Sequence, residues 1–394
     1  MLKKSLRIPG PAELPLEVLQ AAGTQMVAPR GDEVFAKTLL EVVTWAKEVF
    51  QTKNEMLMFS ATGTGGMESA IANTLSPGDK ILVCVNGEFG ARFAIIAGNY
   101  GAQIEKVDDA WGDPIDVGKV KKRLAEDKGR EIKAVLAIHN ETSTGILNAI
   151  DDLGEVVAEH GALFIVDGVS SIGSTEFYAD RWHVDIAITA SQKGLMCPPG
   201  LNLISVSEKA WKEVEKPRNP RYYWDYRLAR GLLGKTMGLP DSQLPGIPIT
   251  PSISLIFTLH KALELLRGEG LENVYKRHRR VARAMRAGAG EIGLKLIAPE
   301  SCASPTVTVI SLPESLNGDE ARSFLHQRFN IDVARGHKKF ANNVIRVGHL
   351  GYVDLPDIIT VLVGLEALLY EMELMPKSLL GKGVAAAQVS YFHE

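Results

Sequence analysis

The stretch DIAITASQKGLMCPPGLNLISV, residues 185–206, places one lysine between two short apolar runs. Residues 185–189 and 201–205 have the length and the β-branched content of buried strands. Lys193 lies between them among small and apolar residues, followed by Gly194 and a Pro-Pro-Gly turn. Such a lysine is either a surface residue on a loop, or an amine whose pKa is lowered by desolvation and which can attack a carbonyl.

Strands of the same kind recur upstream, where they alternate with segments of helical pattern. The apolar runs lie at 80–85, 134–138 and 162–166, and the helix-like stretches lie near 89–99, 116–127 and 150–160. Short apolar strands separated by helices are typical of a mainly parallel sheet that is buried on both faces. The predicted fold class is therefore α/β, with ligands expected at the carboxyl ends of the strands.

A smaller α+β unit is predicted in the last third of the chain. Helices are expected at 254–268, 271–293, 318–329 and 355–373, and strands at 306–312 and 343–349. The segment 216–251, rich in Pro, Gly, Tyr and Trp, is typical of loops and subunit contacts. We expect four parts: an N-terminal arm over 1–20, a large domain over 21–255, a small C-terminal domain over 256–376, and a loosely ordered tail over 377–394.

The composition and charge of the chain limit the classes of protein to which it can belong. The 394 residues are 45% hydrophobic and 23% charged, with a formal net charge of -3, so nucleic-acid binding has no compositional support. The three cysteines are far apart and form no metal-binding spacing, which indicates free thiols in a reducing compartment and no metal site. The N-terminus breaks on Pro-Gly-Pro before any apolar signal region forms. We expect a cytoplasmic protein.

Two further motifs stand at predicted strand ends. SATGTGGMESAIANTL, residues 60–75, places glycines before a helix expected to begin near Met67, where free backbone N–H groups suit a phosphate. The alternative is an ordinary structural loop or helix cap. FIVDGVSSIG, residues 164–173, ends a buried strand with Asp167, which either pairs with a cation or caps the loop that follows.

Taken together, Lys193, the glycine-rich motif and Asp167 indicate one kind of site. A phosphate cradle, a strand-end aspartate and a strand-end lysine about 26 residues later are the three anchors that pyridoxal 5'-phosphate needs. The cradle holds the phosphate, Asp167 keeps the pyridine nitrogen protonated, and Lys193 carries the aldehyde.

With these motifs in place, the chain resembles the class V aminotransferase family of fold-type I pyridoxal-phosphate enzymes. It is most similar to the alanine–glyoxylate and serine–glyoxylate (serine–pyruvate) aminotransferases. The resemblance runs from PGPAELPLEVLQAAG (9–23) to VIRVGHLG (344–351), and its most specific parts are HNETSTG, VDGVSSIG and SQKGLMCPPG. It implies a large domain with a mainly parallel sheet, a smaller α+β domain, and a homodimer whose active site is shared between subunits.

The resemblance also implies residue roles. Lys193 forms the Schiff base and acts as acid and base, Asp167 pairs with the pyridine nitrogen, and Arg346 binds the substrate carboxylate. The remaining implied cofactor contacts are Gly63, Thr64 and Gly65 with Gln192 at the phosphate, Phe89 stacked on the ring, Thr142 at the ring oxygen, and Thr250 at the partner's phosphate. Taken alone, Phe89 is also consistent with a core residue, Arg346 with a surface residue and Thr250 with a helix cap.

The expected activity is transfer of the amino group of alanine or serine to a small 2-oxo acid, glyoxylate or pyruvate. Transaminases for an aminophosphonate or a ureido amino acid are the alternatives within the class, and more basic residues near the pocket would favour the phosphonate. A lyase of the cysteine desulfurase type needs a cysteine shortly before Arg346, and residues 335–343 contain none. A non-catalytic assembly role is disfavoured by the presence of both Lys193 and Asp167.

The sequence departs from the family pattern at three positions. Thr64 stands where mammalian alanine–glyoxylate enzymes have a histidine, and Phe89 stands where they have a tryptophan. Ile247, between Gly246 and Pro248, occupies the place where several relatives have a tyrosine. These departures leave the cofactor assignment intact and bear on cofactor affinity and substrate choice.

Overall fold

The structure, a computed structural model, describes residues 4–29, 32–230 and 250–393. The predicted departure at Ile247 lies outside the described residues. Within these ranges the chain forms two sheets flanked by helices, so the predicted α/β class with a mainly parallel central sheet and a smaller α+β part is confirmed. No helix in the described ranges combines the length and the apolar character that crossing a bilayer requires.

The large sheet has seven strands in the order β2-β10-β9-β8-β5-β3-β4. Every neighbouring pair is parallel except those of β10, which runs antiparallel to both β2 and β9. Strands β3, β5, β8, β9 and β10 correspond to the five apolar runs of the sequence. The strands are β2 Glu55–Phe59, β3 Lys80–Val85, β4 Gln103–Asp108, β5 Ile132–Ile138, β8 Leu163–Asp167, β9 Ile186–Ala190 and β10 Asn202–Val206.

Helices cover both faces of this sheet, which explains why its central strands are wholly apolar. They are α1 Leu16–Ala21, α2 Glu33–Phe50, α3 Gly63–Thr74, α4 Glu88–Asn99, α5 Val117–Glu126, α6 Ile150–His160, α7 Glu208–Val214 and α8 Tyr226–Ala229, followed by α9 Ile253–Glu269. A short hairpin of β6 Asn140–Glu141 and β7 Ile146–Leu147 follows β5 at the carboxyl edge of the sheet.

The second sheet has five strands in the order β1-β13-β14-β12-β11. They are β1 Ser5–Arg7, β11 Lys295–Leu296, β12 Val307–Ser311, β13 Ile331–Arg335 and β14 Val344–Gly348. Its helices are α10 Leu271–Glu291, α11 Gly318–Phe329, α12 Leu355–Glu371 and α13 Lys382–Phe392. Strand β1 comes from the predicted N-terminal arm and pairs in parallel with β13, so the two ends of the chain share one sheet.

The expectation of a loosely ordered tail after residue 376 is wrong for the described residues. Helix α13 buries Ala387 and packs against the core of the second sheet. The Glu366 carboxylate accepts hydrogen bonds from the backbone N–H groups of Gly381 and Val384, which fixes the start of this helix. The fully buried positions of this helix are the small residues Gly383 and Ala387, while Leu379, Val384 and Tyr391 are only partly buried, so the tail has a weak amphipathic pattern. The domain boundary near 255 stays a prediction; α9, which follows it, packs on the core of the large sheet.

Candidate active site

Lys193 lies three residues beyond the end of β9, at the carboxyl edge of the large sheet. Burial, with a smaller effect of the Arg346 charge, lowers the pKa of its amine to about 8. The amine donates a hydrogen bond to the backbone carbonyl of Pro9. A lysine with a lowered pKa is available as a neutral amine near neutral pH, which an exposed lysine is not.

Asp167 is the last residue of β8, the strand beside β9, so its carboxylate lies at the same edge of the sheet. Its side chain is buried, and desolvation raises its pKa to about 6, although the Lys193 charge lowers it. The carboxylate accepts a hydrogen bond from the Val169 N–H at 2.7 Å. A buried carboxylate of this kind needs a cation, and a protonated ring nitrogen would supply one.

The predicted phosphate cradle is the first turn of α3. The helix begins at Gly63, so the expectation of a start near Met67 is wrong, and Thr62 gives it no side-chain cap. In the described structure, the N–H groups of Gly63, Thr64 and Gly65 have no hydrogen-bond acceptor. These N–H groups and the helix dipole together form an anion site.

Two close approaches define the walls of the cradle. A Cβ atom on Gly63 would lie 2.4 Å from Cγ2 of Val169, so only glycine allows the helix start to approach the Asp167 loop this closely. A Cβ atom on Gly65 would lie 2.7 Å from the Trp224 ring. Val169 and Trp224 are partly buried, and the sequence analysis did not identify either of them.

Gln192, the residue before Lys193, has an unsatisfied polar atom. Its side-chain oxygen is buried without a hydrogen-bond partner, while its backbone carbonyl accepts a hydrogen bond from the Ala12 N–H at 2.9 Å. The oxygen and nitrogen of an amide exchange places by a half-turn, so the buried position can equally present N–H donors. A bound phosphate would satisfy them.

Phe89 is the second residue of α4, and its position is set by a buried carboxylate that the sequence analysis did not single out. Glu141 accepts hydrogen bonds from the N–H groups of Phe89 at 3.0 Å and Gly90 at 3.1 Å, and from the Ser143 hydroxyl. Its side chain is fully buried, and desolvation raises its pKa. Glu141 therefore ties the start of α4 to the hairpin that carries Thr142.

Arg346, on β14 of the second sheet, reaches the same hairpin. Its Nη1 donates to the Thr142 carbonyl at 3.3 Å, and its Nε donates to the Arg335 carbonyl at 2.8 Å. Arg346 is buried, and burial lowers its pKa to about 10. Its Nη2 has no partner among the described residues, which leaves one arm of the fork for a ligand. The Thr142 hydroxyl lies 2.7 Å from the Ser170 hydroxyl.

Arg92 and His337 pack against the Phe89 ring, and a cluster of charged side chains lies beside them. The Arg92 guanidinium lies 4.7 Å from the ring centroid, and the His337 ring meets it edge-on at 5.9 Å. Glu88 lies 2.9 Å from Lys338 and 3.9 Å from Arg92, so two cations share one carboxylate. Burial lowers the pKa of His337 to about 4 and keeps it neutral near pH 7. The sequence had no local signal for this group, because it joins two distant segments.

The N-terminal residues 8–12 lie against Lys193. Gly10 has a φ of +113°, and a Cβ atom there would lie 2.6 Å from the Lys193 side chain. A Cβ atom on Gly348 would lie 2.1 Å from the Ile8 carbonyl, so this segment is held between the two sheets. Its role at the site was not expected from the sequence.

Thr250 precedes Ser252, whose hydroxyl lies 2.8 Å from the Ser60 hydroxyl, just before the cradle. It is exposed and, in the described part of the chain, makes no hydrogen bond. The predicted roles of all these residues remain predictions. Contacts described above link several of them, namely Gly63 with Val169 beside Asp167, and Arg346 with Thr142.

The donor set fits pyridoxal phosphate. Free N–H groups at the start of α3 suit its phosphate, the buried Asp167 carboxylate suits its ring nitrogen, and the Lys193 amine suits its aldehyde. Val169 and Phe89 provide apolar surface near these polar anchors.

Known proteins resemble this chain over nearly its whole length. Residues 8–351 match the model of a family described as Aminotransferase class-V. The chain is 38% identical to the soluble hydrogenase 42 kDa subunit of Anabaena cylindrica, covering 98% of each protein. It is 38% identical to the L-aspartate–glyoxylate aminotransferase of Paracoccus denitrificans, covering 98% of this chain and 95% of that protein.

It is also 36% identical to the serine–glyoxylate aminotransferase of Hyphomicrobium methylovorum, covering 98% of this chain and 94% of that protein. Among solved structures, the ureidoglycine–glyoxylate aminotransferase from Bacillus subtilis matches with a TM-score of 0.91 and 29% identity, covering 100% and 99% of the two chains.

Proposed function

Because the chain belongs to the aminotransferase class-V family, we propose that it is a transaminase that depends on pyridoxal phosphate. It takes the amino group of a small amino acid, alanine or serine, and passes it to a small 2-oxo acid, glyoxylate or pyruvate. The observation that carries this proposal is the buried Lys193 amine, placed with Asp167 and the start of α3 at one sheet edge. Glyoxylate is the partner substrate in the names of several relatives.

The chain's own residues would hold the cofactor as follows. The N–H groups of Gly63, Thr64 and Gly65 bind the phosphate, with the Gln192 amide beside them. Asp167 takes the ring nitrogen, and Phe89 and Val169 enclose the ring. When bound, pyridoxal phosphate supplies an aldehyde that combines with amines and a ring that stabilises negative charge on the adjacent carbon.

Lys193 has the acid–base role. Its pKa of about 8 leaves roughly a tenth of the amine neutral at pH 7, far more than for an exposed lysine, so its Nζ can remove the proton from the substrate Cα. The Pro9 carbonyl accepts a hydrogen bond from this amine and orients it. The residues 8–12 and Arg346 also exclude water from the proton's path, since both are packed against the lysine or its surroundings.

Arg346 binds the substrate α-carboxylate. Its backbone-carbonyl contacts fix the guanidinium plane, and the unpartnered Nη2 faces no competing carboxylate within hydrogen-bond distance in the described structure. A fixed fork binds a carboxylate in one orientation, which places Cα for proton removal.

A variant test separates this activity from a purely structural role. The Lys193→Ala variant should have no transaminase activity. It should also lack the near-visible absorbance that the cofactor shows when it is linked to the lysine. Lys209→Ala, at a partly exposed lysine that pairs with Asp185, serves as the matched control. A Lys193→Ala protein with full activity would eliminate the proposed mechanism.

A second candidate is a donor with an additional acidic group, such as a dicarboxylic amino acid or an aminophosphonate. The supporting observation is that Arg92 and Lys338 share the single carboxylate of Glu88, which leaves positive charge beside Phe89. A donor panel decides between the candidates, using loss of the cofactor's aldehyde absorbance as the readout. Under this candidate, Arg92→Gln lowers kcat/KM for acidic donors and leaves alanine unaffected; under the first, alanine and serine react fastest.

The proposal also includes an oligomeric state and a cellular location. The chain acts as a homodimer in which Thr250, exposed in this structure, faces the partner's cofactor. A cytoplasmic location agrees with three cysteines that form no disulfide. The ureido amino acid donor remains an alternative, supported by the name of a structural relative, and the same panel tests it.

A further inference from the structure

A cavity of about 480 Å³ lies between helix α10, the loop that follows Asp167, and the end of the β6–β7 hairpin. It shares no lining residue with the candidate active site. One face of α10 supplies five basic side chains to its wall: Lys276, Arg279, Arg280, Arg283 and Arg286. Their spacing of three or four residues places them on the same side of the helix.

The positive charge of this wall is only partly balanced. Two carboxylates line the cavity: Glu176 pairs with Arg279, and Glu300 pairs with Arg286 at 2.6 Å. In the described part of the chain, Lys276, Arg280 and Arg283 have no carboxylate within ion-pair distance. Uncompensated charges on one helix face repel one another, so an anion bound here would be stabilised and would stabilise the helix in turn.

Arg283 is the residue that points to a ligand. Its Nε is buried without a hydrogen-bond partner, and its terminal nitrogens have no partner among the described residues. The terminal nitrogens retain solvent access, so they are free to donate to an anion in the cavity. Arg280 is held in place instead, since its guanidinium lies 4.5 Å from the Tyr391 ring centroid and donates to the Tyr391 carbonyl.

We propose that this cavity binds a small organic polyanion that carries two or more carboxylate or phosphate groups. A planar guanidinium binds either group through two parallel hydrogen bonds. From Lys276 to Arg283 the helix rises roughly 10 Å at 1.5 Å per residue, so a single anionic group cannot contact both ends. The volume is in the range of small-molecule sites and excludes a folded protein segment as occupant.

The experiment uses the cofactor-loaded enzyme with pyrophosphate and citrate as probes, and measures binding by calorimetry at low salt. The expected result is saturable binding of one probe molecule per chain. Arg283→Gln should weaken it at least tenfold, since it removes a charged donor pair, while Lys122→Gln, the same charge change on an exposed surface of α5, should leave it unchanged. Arg280→Gln replaces Arg283→Gln if the latter does not fold.

The outcomes are distinct. Binding of pyrophosphate alone assigns a phosphate-bearing ligand, and binding of citrate alone assigns a carboxylate. Absence of saturable binding by both probes overturns the proposal. So does equal loss of binding in Arg283→Gln and Lys122→Gln, because it indicates general charge attraction rather than a site.

Discussion

Replacing Gly63 with alanine places a methyl group where Val169 already lies. The new Cβ would be 2.4 Å from Cγ2 and 3.1 Å from Cγ1 of Val169, whereas carbon atoms in contact sit about 3.5–4.0 Å apart. The start of α3 and the loop after Asp167 must therefore separate by roughly 1 Å. Gly63 is the first residue of the helix whose free N–H groups form the cradle. The separation therefore displaces these N–H groups at the place where the cofactor phosphate is expected.

The Gly63→Ala substitution has two effects whose magnitudes can be given. Overpacking at this contact lowers the free energy of unfolding by about 1–3 kcal/mol. Misplacing one N–H group relative to a phosphate oxygen removes a charge-assisted hydrogen bond of about 1.5–3 kcal/mol. At about 1.4 kcal/mol per factor of ten, the Kd for pyridoxal phosphate rises roughly ten- to hundredfold.

Titration of the apo-protein with pyridoxal phosphate, followed by absorbance, measures the Kd, and urea unfolding measures stability. Gly290→Ala on α10 is the matched control, since no atom lies within 4 Å of its added Cβ, and it should stabilise by about 0.5–1 kcal/mol. In a Val169→Ala background, Gly63→Ala should lose most of its effect, because the obstructing Cγ atoms are gone. An unchanged Kd for Gly63→Ala, or an equal loss in both backgrounds, would refute the reasoning.

Three further predictions concern single groups of the site. Burial lowers the pKa of Lys193 from 10.5 to about 8, so the rate at which the apo-protein binds pyridoxal phosphate should rise as the pH increases through about 8. Stopped-flow absorbance measures this rate. If the amine were exposed, the rise would be centred near 10.5 instead. Arg346→Lys should raise KM for both amino acid and oxo acid at least tenfold with a smaller change in kcat, since the fixed fork is lost; steady-state kinetics with unchanged KM would contradict this. Glu141→Gln should lower the free energy of unfolding by about 1–3 kcal/mol, because an amide cannot accept hydrogen bonds from all the N–H donors that the carboxylate now satisfies. Urea titration measures this free energy, and Glu159→Gln, on an exposed surface, is the control. An equal free energy of unfolding in the two variants would contradict the capping role of Glu141.

The large sheet was predictable because its central strands are covered on both faces. Each of its strands β3, β5 and β8 to β10 is a short, almost wholly apolar run, and such runs carry their signal locally. Lys193 and Asp167 were found for the same reason, since a charged residue directly after an apolar strand contrasts with its surroundings.

What escaped the sequence analysis depends on contacts between distant segments. The antiparallel direction of β10 depends on the course of the short turn that precedes it, and the apolar pattern of a strand is the same in either direction. The proximity of Pro9 to Lys193 joins residues 184 positions apart, and that of His337 to Phe89 joins the loop after β13 to helix α4. The helix start at Gly63 was misplaced because three glycines favour a loop on propensity, while close packing against Val169 makes them helical.

The pairing of β1 with β13 has a consequence for how the molecule is made. Ser5 pairs with Ile331, so β1 waits for the synthesis of about 325 further residues, which takes tens of seconds at about 5–20 residues per second. The large sheet can fold in the meantime, since all its strands precede residue 207. The segment that contacts Lys193 settles only after β13 has emerged, so an incomplete chain carries the lysine without its cover. Enzyme activity in a synthesis time course should therefore appear only after β13 has emerged, later than the folding of the sheet that holds Lys193.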